Sequence, residues 1–110
     1  MMFVSLEDAK AYERIDYDDE DSLIGSLLSS AGCLCKDVAR LSDAQWDDID
    51  SDKPWSDLYS KTEMENIRST LRVAVLYAFG YLFEHRDNAD HHGLTLTLRS
   101  LLFSIREGIL

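Results

Sequence analysis

The chain has one proline, Pro54, five scattered glycines and two cysteines in 110 residues. Proline breaks helix interiors and glycine weakens them, so their scarcity leaves long stretches free to be helical. The isolated glycines rule out a glycine-rich phosphate loop. No Gly-x-Ser-x-Gly elbow is present, and a cysteine and a histidine somewhere in one chain do not make a nucleophile and its base. Carboxylates are abundant, but abundance alone does not pair an acid with a base, so the protein is not expected to be an enzyme or to need a cofactor. Cys33 and Cys35 lie two apart in a segment that reads as helix, where they point about 200° away from each other. A local bridge is therefore excluded, and the pair reads as reduced cytoplasmic thiols. No apolar run approaches membrane-spanning length, and the opening residues lack the basic and apolar regions of a signal peptide, so no membrane partner is expected.

Positive charge is also scarce. Eleven basic side chains face 21 acidic ones, for a net charge of -10. The imbalance is uneven: residues 1–53 hold 14 acidic and 5 basic side chains, residues 54–110 hold 7 and 6. The N-terminal half should repel phosphate backbones, which makes a direct grip on nucleic acid a poor reading and lets DNA pass without being bound. What the chain does have is apolar side chains, 45% of the total, enough for one core and one domain spanning 1–110.

Ser5-Leu6-Glu7-Asp8 spells a helix start, with a hydroxyl to accept an exposed amide and acids at the positive end, and predicts a short helix to about Arg14. The acidic run Asp16 to Asp21 then leads into a pattern at Leu23, Ile24, Leu27, Leu28, Ala31, Leu34, Cys35, Val38 and Leu41 that keeps one stripe on a 3.6 period. Ser42-Asp43-Ala44-Gln45 is a capping-box spelling that starts a one-turn helix carrying Trp46 and Ile49. Residues 42–61 read as a structured excursion pinned by Trp46, Trp55, Leu58 and Tyr59, with an acidic exposed tip at Asp47, Asp48, Asp50 and Asp52. Thr62-Glu63-Met64-Glu65 is a second capping-box spelling, opening the most apolar stretch, Leu71 to Phe83. That stretch leaves almost no polar face, so the helix should be buried on most sides, more than a domain this small can supply alone. His85 to Gly93 reads as a loop. Leu94-Thr95-Leu96-Thr97-Leu98 alternates like a strand, while Leu98, Leu101, Leu102, Ile105 and Ile109 repeat like a helix, which predicts an extended arm followed by a short amphipathic helix with Arg99 and Arg106 off its stripe. The fold class expected is all-α, a small bundle of about four helices with an acidic excursion and an extended C-terminal arm.

Two constellations resemble metal sites. Asp48, Asp50 and Asp52 open like a calcium loop, but Lys53 stands where the sharp-turn glycine belongs and Tyr59 where the bidentate glutamate belongs, so a solvated acidic loop is the better reading. His85, Asp87, Asp90, His91 and His92 crowd one span without the paired spacing of a structural zinc site and read as a polar loop.

The opening Val4 to Tyr12, then Arg14-Ile15-Asp16 and Asp19-Glu20-Asp21-Ser22-Leu23-Ile24, resembles the start of the tailed-phage head-tail connector family: a short helix, an Arg-Ile-Asp turn and an acidic step into a long helix. Ile67 to Arg86, closing on Glu84-His85-Arg86, is similar to that family's central helix. Leu94 to Ile109, with Leu98-Arg99-Ser100-Leu101-Leu102, resembles its C-terminal element, especially in a prophage branch from Gram-positive hosts. Glu13 departs from the pattern, standing where many members place an apolar residue. The resemblance implies a structural subunit that forms a ring of about a dozen copies beneath the portal protein of a filled capsid and presents a platform to head-closure or tail-completion proteins. It would assemble in the host cytoplasm and end in the virion neck. A ring also suits a helix with surplus apolar surface, because heterologous contacts close into rings. On this reading Leu94, Leu96, Leu98, Arg99, Leu102 and Phe103 are the expected oligomer interface, and Asp47, Asp48, Asp50 and Asp52 are expected to face the lumen or a partner. An acidic inhibitor that mimics DNA is the rival reading, although the carboxylates gather at helix starts and in one loop rather than spreading like phosphates.

Overall fold

Serine caps set where three of the helices begin. Ser5, Ser42 and Ser60 each accept the backbone N–H three residues on, and Asp8, Gln45 and Glu63 each accept the N–H of the capping serine in return. Each box satisfies two amide donors that a helix start leaves open. The computed structural model describes residues 1, 3–88 and 90–108, and all regular structure among them is helical. The helices are α1 (Leu6–Tyr12), α2 (Asp21–Val38), α3 (Asp43–Ile49), α4 (Lys61–Glu84), α5 (His91–Leu101) and α6 (Phe103–Glu107). Six helices thus replace the four or so expected. The long helix starts at Ser60 rather than at the Thr62 spelling, because capping from Ser60 turns Met64 and Ile67 inward, where both are buried.

The longest helices, α2 and α4, form the main interface and run antiparallel. Glu20, at the head of α2, pairs with Arg86 just past the end of α4 at 3.4 Å. At the other end, Ala39 and Leu41 share a groove with Glu63 and Ile67. Small residues on both helices, Ala31 on α2 and Ala74 and Ala78 on α4, are fully buried, as are Ile24, Cys35, Leu71, Val75 and Phe79. Helix α1 runs alongside α4. Arg72 donates to Asp8 and to the Phe3 carbonyl at 2.9 Å, while Tyr12 and Glu13 lie over Gly80, where a Cβ would meet the Tyr12 ring at 2.7 Å and Glu13 Oε1 at 2.5 Å. A side chain at that position would have to displace the Tyr12 ring and the Glu13 carboxylate from their seats. Lys10, itself buried, joins α1 to the acidic run by ion pairs to Asp18 at 2.7 Å and Asp21 at 2.8 Å. Two acids of the Asp16 to Asp21 run are therefore tied back to α1.

The turns after α1 and α2 place Arg14 and Arg40 at φ 58°. Both stand where glycine is usual: the N–H groups of Arg14 and Ile15 return to Ala11 and Lys10, and those of Arg40 and Leu41 to Asp37 and Lys36, closing each helix with two reverse hydrogen bonds.

The extended arm is corrected to a helix. His91–Leu101 is α5, begun by Asp90, whose carboxylate accepts the Gly93 N–H at 3.0 Å. Gly93 therefore lies inside the first turn instead of ending a loop. The Leu-Thr alternation misled because Thr95 and Thr97 turn their hydroxyls back onto the carbonyls of His91 and Gly93, as threonine does in a helix. Leu94, Leu98, Leu102 and Ile105 then form one inward stripe, all buried in the chain's own core. Ile109, assigned to that stripe from the sequence, lies outside the described residues.

These burials predict that Leu98→Ala destabilises the fold by about 2–5 kcal/mol, whereas Leu96→Ala, at a half-exposed position, changes it by less than about 0.5 kcal/mol. Urea unfolding followed by circular dichroism checks both. Equal effects would mean that residues 94–98 do not form a helix packed in this way.

Candidate functional site

The candidate site among the described residues is the surface, and its features are exposed apolar side chains and unevenly placed charge. On α4, Val73 is 60% and Tyr77 39% exposed. The helix expected to be enclosed on most sides is covered by α1, α2, α3 and α5 on the remainder of its circumference, so its uncovered apolar surface narrows to this strip and the adjacent Tyr12. Leu96 and Phe103, half-exposed, sit on the outer side of α5 and α6 with the exposed Arg99. In the loop before α4, Trp55 is 63% and Leu58 51% exposed. Those two do not pin the excursion. Trp46 pins it instead, edge-on to Phe3 at 5.7 Å between ring centroids, with Tyr59 and the fully buried Ile49.

The six residues expected at an oligomer interface separate into two sets. Leu94, Leu98 and Leu102 are buried within their own chain and are not available to a neighbour; Leu96, Arg99 and Phe103 remain at the surface. Of the acidic tip, Asp47 and Asp52 are exposed and Asp48 and Asp50 half-buried. Its backbone is held by Arg68, which reaches from α4 to donate to the carbonyls of Asp48 (3.3 Å), Ile49 (2.9 Å) and Ser51 (2.7 Å). Nothing in the sequence around Arg68 announces this role, since its partners lie 17 to 20 residues away.

Each end of the bundle carries a cluster of like charges, three arginines at one and two glutamates at the other. Arg40 after α2, Arg99 on α5 and Arg106 on α6 crowd the end where α2 finishes. Arg106 donates to the Val38 carbonyl at 3.0 Å, and its pKa is lowered by burial and by the like charges of Arg40 and Arg99. At the other end Glu13 and Glu84 flank Gly80 together with Tyr12 and Tyr77. Burial and the neighbouring Glu84 raise the Glu13 carboxyl above its ordinary range. Two cations near this end, Lys10 and Arg86, are engaged with Asp18, Asp21 and Glu20.

The residues considered for metal binding do not converge: among the described residues no group of three or more His, Cys, Asp or Glu is placed to hold an ion. His85 stacks on Tyr81 at 4.2 Å instead. Cys33 is exposed and Cys35 buried, with the Cys35 thiol pushed up to about 12 by burial. Among the described residues no helix is long and apolar enough to cross a membrane.

A surface of this kind serves assembly, and a family model described as phage gp6-like head-tail connector protein matches residues 3–110. The chain belongs to that family. No curated protein and no solved structure matches it. The head-tail connector family is structural, which gives this chain a structural role in phage assembly alongside other virion proteins such as the portal or tail.

The position of Glu13 in this connector generates a pH prediction. Its folded pKa is raised above the unfolded value, so stability falls as pH rises through that window, and at neutral pH the folded state carries the cost of a charged, partly buried carboxylate beside Glu84. Glu13→Gln should therefore raise the melting temperature at pH 7, by a gain that shrinks as pH falls through the carboxylate range. A gain that is constant with pH, or absent at pH 7, would contradict this account of Glu13.

Proposed function

We propose that the protein is a ring-forming head-tail connector subunit that docks beneath the portal and links the filled capsid to head-closure or tail-completion proteins in the virion neck. The family match over residues 3–110 is the observation that carries this reading. The molecule supports it physically. A 110-residue chain fills its own core with Leu94, Leu98 and Leu102 and still leaves Leu96, Phe103, Val73 and Tyr77 at the surface, and apolar side chains placed in such strips are suited to neighbours. We assign Leu96, Arg99 and Phe103 to the contact with the adjacent subunit.

The acids of the α3 region are proposed to face the lumen or a partner. Asp47 and Asp52 are exposed on a backbone that Arg68 holds in place, and a fixed negative surface lets DNA slide past without binding. The DNA-mimic reading loses ground on the same structure, because Asp8, Asp18, Asp21, Glu20 and Asp43 are paired with lysines or arginines of the chain. Carboxylates committed in this way are poor stand-ins for phosphates.

Light scattering during size exclusion, over a series rising to high protein concentration, tests the ring. The expected result is a discrete species of about ten or more subunits, the size range of closed heterologous assemblies implied by a connector ring. A strict monomer at every concentration would contradict a self-assembling ring.

A further inference from the structure

The two charged ends and the two apolar strips belong together. On α5 and α6, Leu96, Arg99 and Phe103 are spaced three and four residues apart, which puts them on one outward stripe. Arg40 and Arg106 stand beside Arg99. Asp37 and Glu107 border this cluster, yet among the described residues Arg40 and Arg99 make no ion pair. On α4, Val73, Tyr77 and Glu84 fall four and seven residues apart, again on one stripe, with Glu13 next to Glu84 across Gly80. The first patch is therefore an apolar pair beside three arginines that outnumber the two acids bordering them, and the second an apolar pair beside two glutamates.

Neither patch fits a copy of itself. A two-fold contact through the α5–α6 stripe would bring Arg99, Arg40 and Arg106 against the same three arginines, and one through the α4 stripe would oppose Glu13 and Glu84 to themselves. Like-charge juxtaposition of this kind costs several kcal/mol in an interface. Each does fit the other. The arginine cluster lies where α2 ends and the glutamate pair where α2 begins, separated by roughly 27 Å, the rise of an 18-residue helix, in a molecule of 41 × 28 × 20 Å. Two different patches far apart on one chain make a head-to-tail contact, and contacts of that class close into rings when the rotation allows.

We propose that the Leu96–Arg99–Phe103 stripe of one subunit docks on the Val73–Tyr77–Glu84 stripe of the next copy. The contact rests on the ring reading above and says which two surfaces build it. The occupant of each stripe is a second copy of this chain, chosen by charge complementarity: the arginines of one copy supply the counter-charge that Glu13 and Glu84 lack, and the apolar pairs cover each other.

Two double variants test it, all four positions being at least partly at the surface, so that each chain should keep its helical circular-dichroism spectrum and cooperative unfolding. One carries Arg99→Ala and Phe103→Ala, the other Tyr77→Ala and Glu84→Ala. By light scattering each alone should lose the high-mass species. Mixed in equal amounts they should give a one-to-one dimer of about twice 12.6 kDa, since only one intact stripe of each kind remains. If either variant alone still forms the wild-type oligomer, or the mixture stays monomeric, this contact is wrong while the ring reading stands. Should the wild-type chain itself remain monomeric at every concentration, the ring reading falls and the contact with it.

Discussion

Everything in this molecule is arranged by the need to cover α4. Its 24 residues carry an apolar sequence too wide for a single face, and leaving that surface in water would cost about 25 cal/mol per Å². Helix α2 covers the largest share, lying antiparallel with alanines on both helices letting them approach. Helix α1 fits over Gly80, α3 packs Ile49 and Trp46 near the α4 start, and α5 supplies Leu94 and Leu98. The supply of covering helices ends there, with Val73 and Tyr77 still bare. The strip where the fold runs out of chain is the strip we assign to a neighbour.

The charged residues follow from the same constraint. Helices that meet at their ends bring termini and caps together, and the side chains that stitch those ends are engaged within the chain: Lys10 to Asp18 and Asp21, Arg72 to Asp8, Arg86 to Glu20, Arg68 to three carbonyls of the α3 region. Among the charges outside these ion pairs, Arg40 and Arg99 lie at one end and Glu13 and Glu84 at the other. Glu13 belongs to this remainder. The resemblance to the connector family already set it apart as a departure from the expected pattern, and the structure places it partly buried beside a like charge.

Much of this was legible in the sequence. The Ser5 and Ser42 starts, the α2 stripe and the all-helical class rest on short-range rules, a cap three residues from its partner or a repeat of 3.6, and those survive folding. Contacts that depend on distant partners were not legible. Thr95 and Thr97 gave α5 the alternation of a strand, and only the burial of Leu94, Leu98 and Leu102 together decides for a helix. Of the four anchors read from the sequence, Trp46 and Tyr59 pack inward, Trp46 through Phe3, while Trp55 and Leu58, which as large apolar residues usually find a pocket, stay exposed. The residues proposed for an interface met the same limit: a run of leucines announces burial, but not whether the burial is inside the chain or against another. Half of that set proved internal, and what identifies Leu96, Arg99 and Phe103 as outward is the helical phase.

The account stands on heterologous packing of one subunit's α5–α6 stripe against the next subunit's α4. Electron cryomicroscopy of the assembled oligomer, at a resolution that places side chains, measures this directly. The account predicts Phe103 and Leu96 against Val73 and Tyr77 of the adjacent copy, with Arg99 near its Glu84. A two-fold contact between identical surfaces, or an α5–α6 stripe facing solvent all round the ring, would contradict it.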